Sequence, residues 1–269
     1  MRNTFIFSLV ILLLSVTNTN AQEKDQIPVY DSIKINSKIL GEIRTINVWT
    51  PPEYSQNKDS FQVIYMPDGG INEDFAHIAN TLALLIKNKN IPPVILVGIA
   101  NTQRRRDLSG PTEVETDKKI APVIGGSEIF RSFIKEELFP EINKLYRTTK
   151  EKGIIGESLA GLFIIETLLL EPNMFNYYIA MDPSLWWNNH HLVSIAKEQL
   201  IKLSSKKYLW FAGSKTKDIS QHTKELSKIL TTENPKNLTW KYCDEPKEKH
   251  NTIYRATKEK ALLWIFTNK

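Results

Sequence analysis

The chain has 269 residues, 41% of them hydrophobic, a formal charge of +5 and a single cysteine, Cys243. That is enough apolar material for a core of ordinary size, which excludes a disordered chain. One cysteine excludes an intrachain disulfide framework. The basic residues are scattered rather than clustered, which speaks against nucleic-acid binding.

Met1-Arg2 gives a positive start, Phe5 to Val16 is apolar apart from Ser8 and Ser15, and Thr19-Asn20-Ala21 is small and polar. This three-part pattern predicts a secretory signal peptide over residues 1–21, cleaved after Ala21. At about a dozen residues the apolar run is too short to span a bilayer. The expectation is therefore an exported bacterial protein, periplasmic or extracellular, without stable membrane insertion after cleavage. Residues 22–269 are expected to form one domain.

From Ser32 onward strands alternate with helices. Ser32–Asn36 and Arg44–Trp49 alternate polar and apolar residues, as half-exposed antiparallel edge strands do. Phe61–Met66 is a more apolar strand stopped by Pro67-Asp68-Gly69-Gly70. Residues 74–87 show helical spacing, and Pro93–Ile99 is a nearly continuous apolar run, the pattern of a strand covered on both faces. Residues 101–127 have no period and read as a long functional loop. A helix from Ser127 to Tyr146, a strand over Gly153–Gly156 and an apolar helix over Leu159–Leu170 follow. Tyr177–Met181, Tyr208–Phe211 and Leu238–Tyr242 read as later strands, with helices over 191–203, 219–230 and 252–267. The implied fold is α/β: a mostly parallel central sheet with helices on both faces and an antiparallel N-terminal edge. Chemistry in such sheets sits in the loops at the carboxyl ends of the strands.

One of those loops reads Gly156-Glu157-Ser158-Leu159-Ala160-Gly161. A serine on a sharp strand-to-helix turn needs small residues two before and two after it, and Gly156 and Ala160 meet that need. The turn also sets Ser158 at a helix N-terminus, where free N–H groups favour developing negative charge. A serine hydroxyl needs a base. Of the five histidines, His250 alone follows the last strand and precedes the final helix, the place the chain order serine, acid, histidine requires. The acid should follow the strand before it, where Asp218 is the only carboxylate; Asp182, one strand earlier, and a serine–histidine pair without a carboxylate are the alternatives. The N–H of Leu159 and of Gly70, in the glycine turn after Met66, are the candidate oxyanion donors. Arg104, Arg105 and Arg106 could meet an anionic or catechol-rich substrate. Trp186-Trp187 directly follows a strand, and one of the two indoles is expected to touch a ligand. His190-His191 with Asp182 lacks the spacing of a shared metal-ligand face, so neither a metal nor an organic cofactor is expected.

Five segments carry a resemblance: Ile64–Gly70, Arg104–Leu108, Gly156–Phe163, Asp182–Trp187, and His250 before a terminal helix. In that order they resemble the putative esterase family of α/β-hydrolases, similar to the siderophore, feruloyl and acetylxylan esterases and esterase D. The resemblance implies an α/β-hydrolase fold, with Ser158 as nucleophile, His250 as base, and Gly70 and Leu159 as oxyanion donors. It further implies a substrate cleft at Arg104, Arg106, Trp186 and Trp187. The expected activity is hydrolysis of a siderophore-type or carbohydrate ester through an acyl-enzyme. A non-catalytic binding protein on the same scaffold is the alternative.

Overall fold

The computed structural model describes residues 25–269, so the signal peptide expected over residues 1–21 lies outside the described residues. In chain order the elements are β1 (Asp31–Ser37), β2 (Glu42–Trp49), α1 (Glu53–Gln56), β3 (Phe61–Pro67), α2 (Phe75–Lys87) and β4 (Val94–Ile99). Two short helices follow, α3 (Arg104–Leu108) and α4 (Glu115–Ile120), then α5 (Ser127–Phe133), which passes through a π-type turn at Ile134–Leu138 into α6 (Phe139–Leu145). The second half is β5 (Thr148–Glu157), α7 (Leu159–Leu170), β6 (Tyr177–Met181), α8 (Trp187–Leu200), β7 (Lys207–Ser214), α9 (Lys217–Glu233), β8 (Leu238–Glu245) and α10 (Ile253–Asn268).

All eight strands form one sheet in the order β1-β2-β4-β3-β5-β6-β7-β8. β1 and β2 pair antiparallel with each other, β2 pairs antiparallel with β4, and every later pairing is parallel. The mixed sheet with an antiparallel edge is the expected one.

Strand alternation divides the core into two layers. Val63, Tyr65, Ile95, Val97 and Ile154 point to the layer covered by α5, α6, α7, α8 and α9. Ile64, Met66, Val94, Leu96 and Ile155 point to the layer covered by α2 and α10. α7 is buried along almost its whole length, because α3, α5 and α8 cover the side that the sheet leaves free. At the carboxyl edge Gly69 meets Gly98 so closely that a Cβ on Gly69 would lie 2.2 Å from the Gly98 Cα. That close approach draws the loop after β3 down onto the end of β4.

One sequence expectation changes. The stretch 101–127, expected as a loop, carries α3 and α4, each too short to show a period. The expected helix from 191 is present: Asn188, Asn189 and His190 before it form a left-handed turn with φ of 50°, 51° and 51°, so the right-handed part of α8 starts at His191. No helix of the described residues is long and apolar enough to cross a membrane.

Candidate active site

The carboxyl ends of β5, β6 and β8 converge on Ser158. Its backbone has φ 61° and ψ −117°, a conformation that costs an ordinary residue about 1–3 kcal/mol. The surroundings fix it there. The Ser158 N–H donates to the Met181 carbonyl at 2.9 Å, and its carbonyl accepts from Leu162 and Ser184 at 2.9 and 3.1 Å. A Cβ at Gly156 would lie 2.7 Å from that of Ala160, so the turn demands the small residues read from the motif. The Leu159 N–H opens α7 and is among the first-turn donors that have no partner within the helix.

The Ser158 Oγ lies 3.0 Å from Nε2 of His250, and Nδ1 of His250 lies 2.8 Å from Oδ2 of Asp182. A carboxylate can only accept, so Nδ1 carries the proton and Nε2 of the neutral ring accepts from the serine hydroxyl. Asp182 is fully buried, and its other oxygen accepts the Ser214 N–H at 2.5 Å. The hydrogen bond with Asp182 holds the His250 pKa above the ordinary histidine value; burial opposes it, and the negative field of Glu157 adds to the rise. This serine–histidine–carboxylate relay can take a proton from a hydroxyl and return it to a leaving group.

Asp218, expected as the acid, is not at this histidine. β7 continues through Ser214, which puts Asp218 in the exposed first turn of α9. Asp182 holds the ring instead. It leaves β6 with φ 45°, a bend that turns the short carboxylate back across the sheet edge.

The oxyanion side is less open than the glycines suggest. The Gly70 N–H donates to Oε2 of Glu73 at 2.6 Å, and the other oxygen of Glu73 accepts from Asn101 at 2.8 Å. Asn101 also donates to Asp68 at 2.6 Å. Glu73 and Asn101 escaped the sequence reading because neither belongs to a motif. The one available signal was a carboxylate three residues after a glycine turn, which is also the pattern of an ordinary loop.

The arginine run separates on folding. Arg104 makes a two-pronged pair with Asp68 at 2.6 and 2.8 Å, its side chain 37% exposed at the cleft. Arg106 is bound to Glu42 and Asp107 at 2.8 and 2.7 Å, which commits it to the anchoring of α3 rather than to the cleft. Arg105 donates to the Ile120 carbonyl. Of the two indoles, Trp187 is buried with its N–H on the Gly110 carbonyl at 3.0 Å, while Trp186 is half-buried. His190 stacks on His222 at 4.9 Å between ring centres.

The ferri-bacillibactin esterase BesA of Bacillus subtilis is 28% identical over 253 residues, which is 82% of this chain and 84% of that protein. The apo-salmochelin esterase of Escherichia coli O6:H1 is 26% identical over 241 residues, 82% of this chain and 75% of that one. The crystal structure of an IroE-like serine hydrolase from Shewanella oneidensis superposes with a TM-score of 0.82 at 27% identity, covering 89% of this chain and 80% of that one. A ferulic acid esterase shares the fold, with a TM-score of 0.68 at 14% identity over 89% of this chain and 97% of that one. The family described as "Putative esterase" matches residues 37–266, so the chain belongs to the putative esterase family and is a carboxylic ester hydrolase.

Proposed function

We propose that the protein is an exported serine esterase that cleaves a siderophore-type ester through an acyl-enzyme. Ser158 attacks the ester carbonyl while His250 takes its proton, and Asp182 holds the imidazole in the required tautomer and balances the imidazolium. The leaving alkoxide takes that proton back, and water admitted by the same base then releases the acyl group. The Leu159 N–H and the Gly70 N–H stabilise the oxyanion, Gly70 once the Glu73 carboxylate has given way to it. Arg104 and Trp186 line the substrate side of the cleft.

The reading is carried by one observation: the 3.0 and 2.8 Å contacts that join Ser158, His250 and Asp182. The siderophore-type substrate draws on the relatives named ferri-bacillibactin and apo-salmochelin esterase, which are alike over four fifths of the chain. The leader over residues 1–21 supports export.

The test is hydrolysis by the purified protein of p-nitrophenyl acetate, methyl ferulate, acetylated xylan and a catecholate trilactone, each beside Ser158→Ala. The trilactone should be cleaved fastest, and every rate should fall at least about a thousandfold in the variant. Activity unchanged in Ser158→Ala would remove the serine mechanism, and a preference for ferulate or acetyl xylan would move the substrate to carbohydrate esters.

A further inference from the structure

Three adjacent parallel strands, β3, β5 and β6, each deliver a carboxylate to the same edge of the sheet. Asp68 follows β3, Glu157 ends β5, and Asp182 follows β6. Two of the three are matched by partners. Asp68 is matched by Arg104 and Asn101. Asp182 is matched by His250 and the Ser214 N–H. Glu157 is half-buried, and its Oε1 is fully buried without a hydrogen-bond partner among the described residues. An acceptor buried in that state costs roughly 1–3 kcal/mol, a burden best explained if a partner forms in another state of the site.

The position of Glu157 limits what that partner can be. It precedes Ser158 in the chain and pairs in register with Met181, the residue before Asp182. The groups whose charge it feels are His250, Asp74, Asp182 and Asp68, with Arg104 and Tyr254 beyond them. Asp74 faces His77 at 3.0 Å, and Arg104 is held on Asp68. Tyr254 is a buried phenol. His250 is the one group of this set that gains a positive charge during ester hydrolysis.

We propose that Glu157 is a positioning residue for His250, a second carboxylate beside Asp182 that balances the imidazolium formed when His250 takes the Ser158 proton. The proposal rests on the serine mechanism above. In the step concerned the Ser158 O–H bond breaks and its proton passes to Nε2 of His250. The oxygen bonds to the ester carbon, and the carbonyl electron pair moves to oxygen. Burial, helped by the neighbouring carboxylates, pushes the Glu157 carboxyl up to about 8, while His250 pulls it back. Below that pH its own proton must leave to water as the imidazolium forms and return when His250 protonates the leaving alkoxide. Above it the carboxylate is already in place.

The sign of the pH dependence follows. The rate should rise once as His250 loses its proton, and again as Glu157 ionises near pH 8. Glu157→Gln keeps the shape and removes the charge. With p-nitrophenyl acetate the variant should lose the second rise. It should run about tenfold below the parent at pH 9 and within about twofold of it at pH 6. Its acid limb should stay in place, because Glu157 is already neutral there. Glu157→Asp should restore part of the second rise.

Histidine ring NMR on the full protein gives a readout that needs no turnover. The neutral His250 ring should report the ionisation of Glu157 as a second chemical-shift inflection near pH 8, and this step of the His250 titration should be absent in Glu157→Gln, with thermal unfolding showing that the variant is folded. A superimposable pH–rate profile together with an unmoved His250 titration, its second step kept in the variant, would overturn the proposal. So would an unmoved titration with an effect confined to KM for a cationic choline ester against its neutral dimethylbutyl isostere, because Glu157 would then meet substrate rather than His250. If the protein hydrolysed nothing while the His250 titration still moved, the esterase reading would fail and the electrostatic coupling would stand.

Discussion

A histidine that is to act as a base needs an acceptor on Nδ1, and the bend at Asp182 supplies it. Asp182→Asn keeps the packing and offers the ring either a donor or a weaker acceptor. It should lower kcat by about 10³- to 10⁴-fold, whereas Asp218→Asn on the exposed turn of α9 should stay within about twofold. Steady-state kinetics on the two variants decides between the carboxylates. The same bond sets the acid limb. His250 must be neutral to act, its pKa is raised chiefly by Asp182, and kcat/KM therefore falls as pH drops through a value above the ordinary histidine one. Ser158 and His250 were legible in the sequence, because the elbow motif and the loop before the last helix are local patterns. Asp182 was not singled out, because the choice of acid depends on which of two strand ends faces the ring. Glu73 and Asn101 were not legible at all, since a loop carboxylate shows its partner only in space.

At the scale of elements, the segment between β4 and α5 is fastened to the start of α8. The Asn188 N–H donates to Asp117 at 2.8 Å, Trp187 donates to Gly110 at 3.0 Å, and the Thr112 hydroxyl lies between Asp117 and the Asn188 side chain. These contacts hold three consecutive residues in the left-handed region, which an L-residue enters at a cost of roughly 1–2 kcal/mol and asparagine enters more readily. Asn189 is exposed and has the same backbone. Asn189→Ala should destabilise the protein by about 1 kcal/mol, and Asn189→Gly should be neutral or mildly stabilising. Urea unfolding of the two variants measures the difference; an alanine variant as stable as the parent would mean that the turn carries no strain. Strand β1 and the amphipathic helix α2 were readable because one face of each is buried, whereas β2, expected to be half-exposed, is buried on both faces over Ile46–Trp49 because β1 and β4 flank it. The short helices α3 and α4 were not, because their form comes from anchoring side chains rather than from periodicity.

For the molecule as a whole, the buried charges are as instructive as the apolar layers. Arg44 is fully buried beneath α3, paired with Asp107 and 5.2 Å above the Phe130 ring, with Arg106 and Glu42 completing the network. Removing one partner leaves the other charge buried and unmatched, so Arg44→Met should cost about 3–5 kcal/mol. In calorimetry that corresponds to a fall in Tm of roughly 10 °C for a protein of this size. The network ties β2, at the antiparallel edge, to the segment that flanks the cleft, so fold stability and cleft shape are coupled. The sequence by itself determined the alternating α/β architecture, the antiparallel edge, the elbow motif around Ser158, the place of His250 between the last strand and the final helix, and the family resemblance, because each is written in local periodicity or in a motif of fixed spacing. Only the tertiary structure decided that Asp182 is the partner of His250, that Arg104 and Arg106 part company, that Trp187 is buried while Trp186 is half-buried, and that Oε1 of Glu157 has no hydrogen-bond partner among the described residues. Those facts depend on which strand ends are neighbours in the sheet and on where each carboxylate finds a positive charge, and both are relations between residues far apart in the chain.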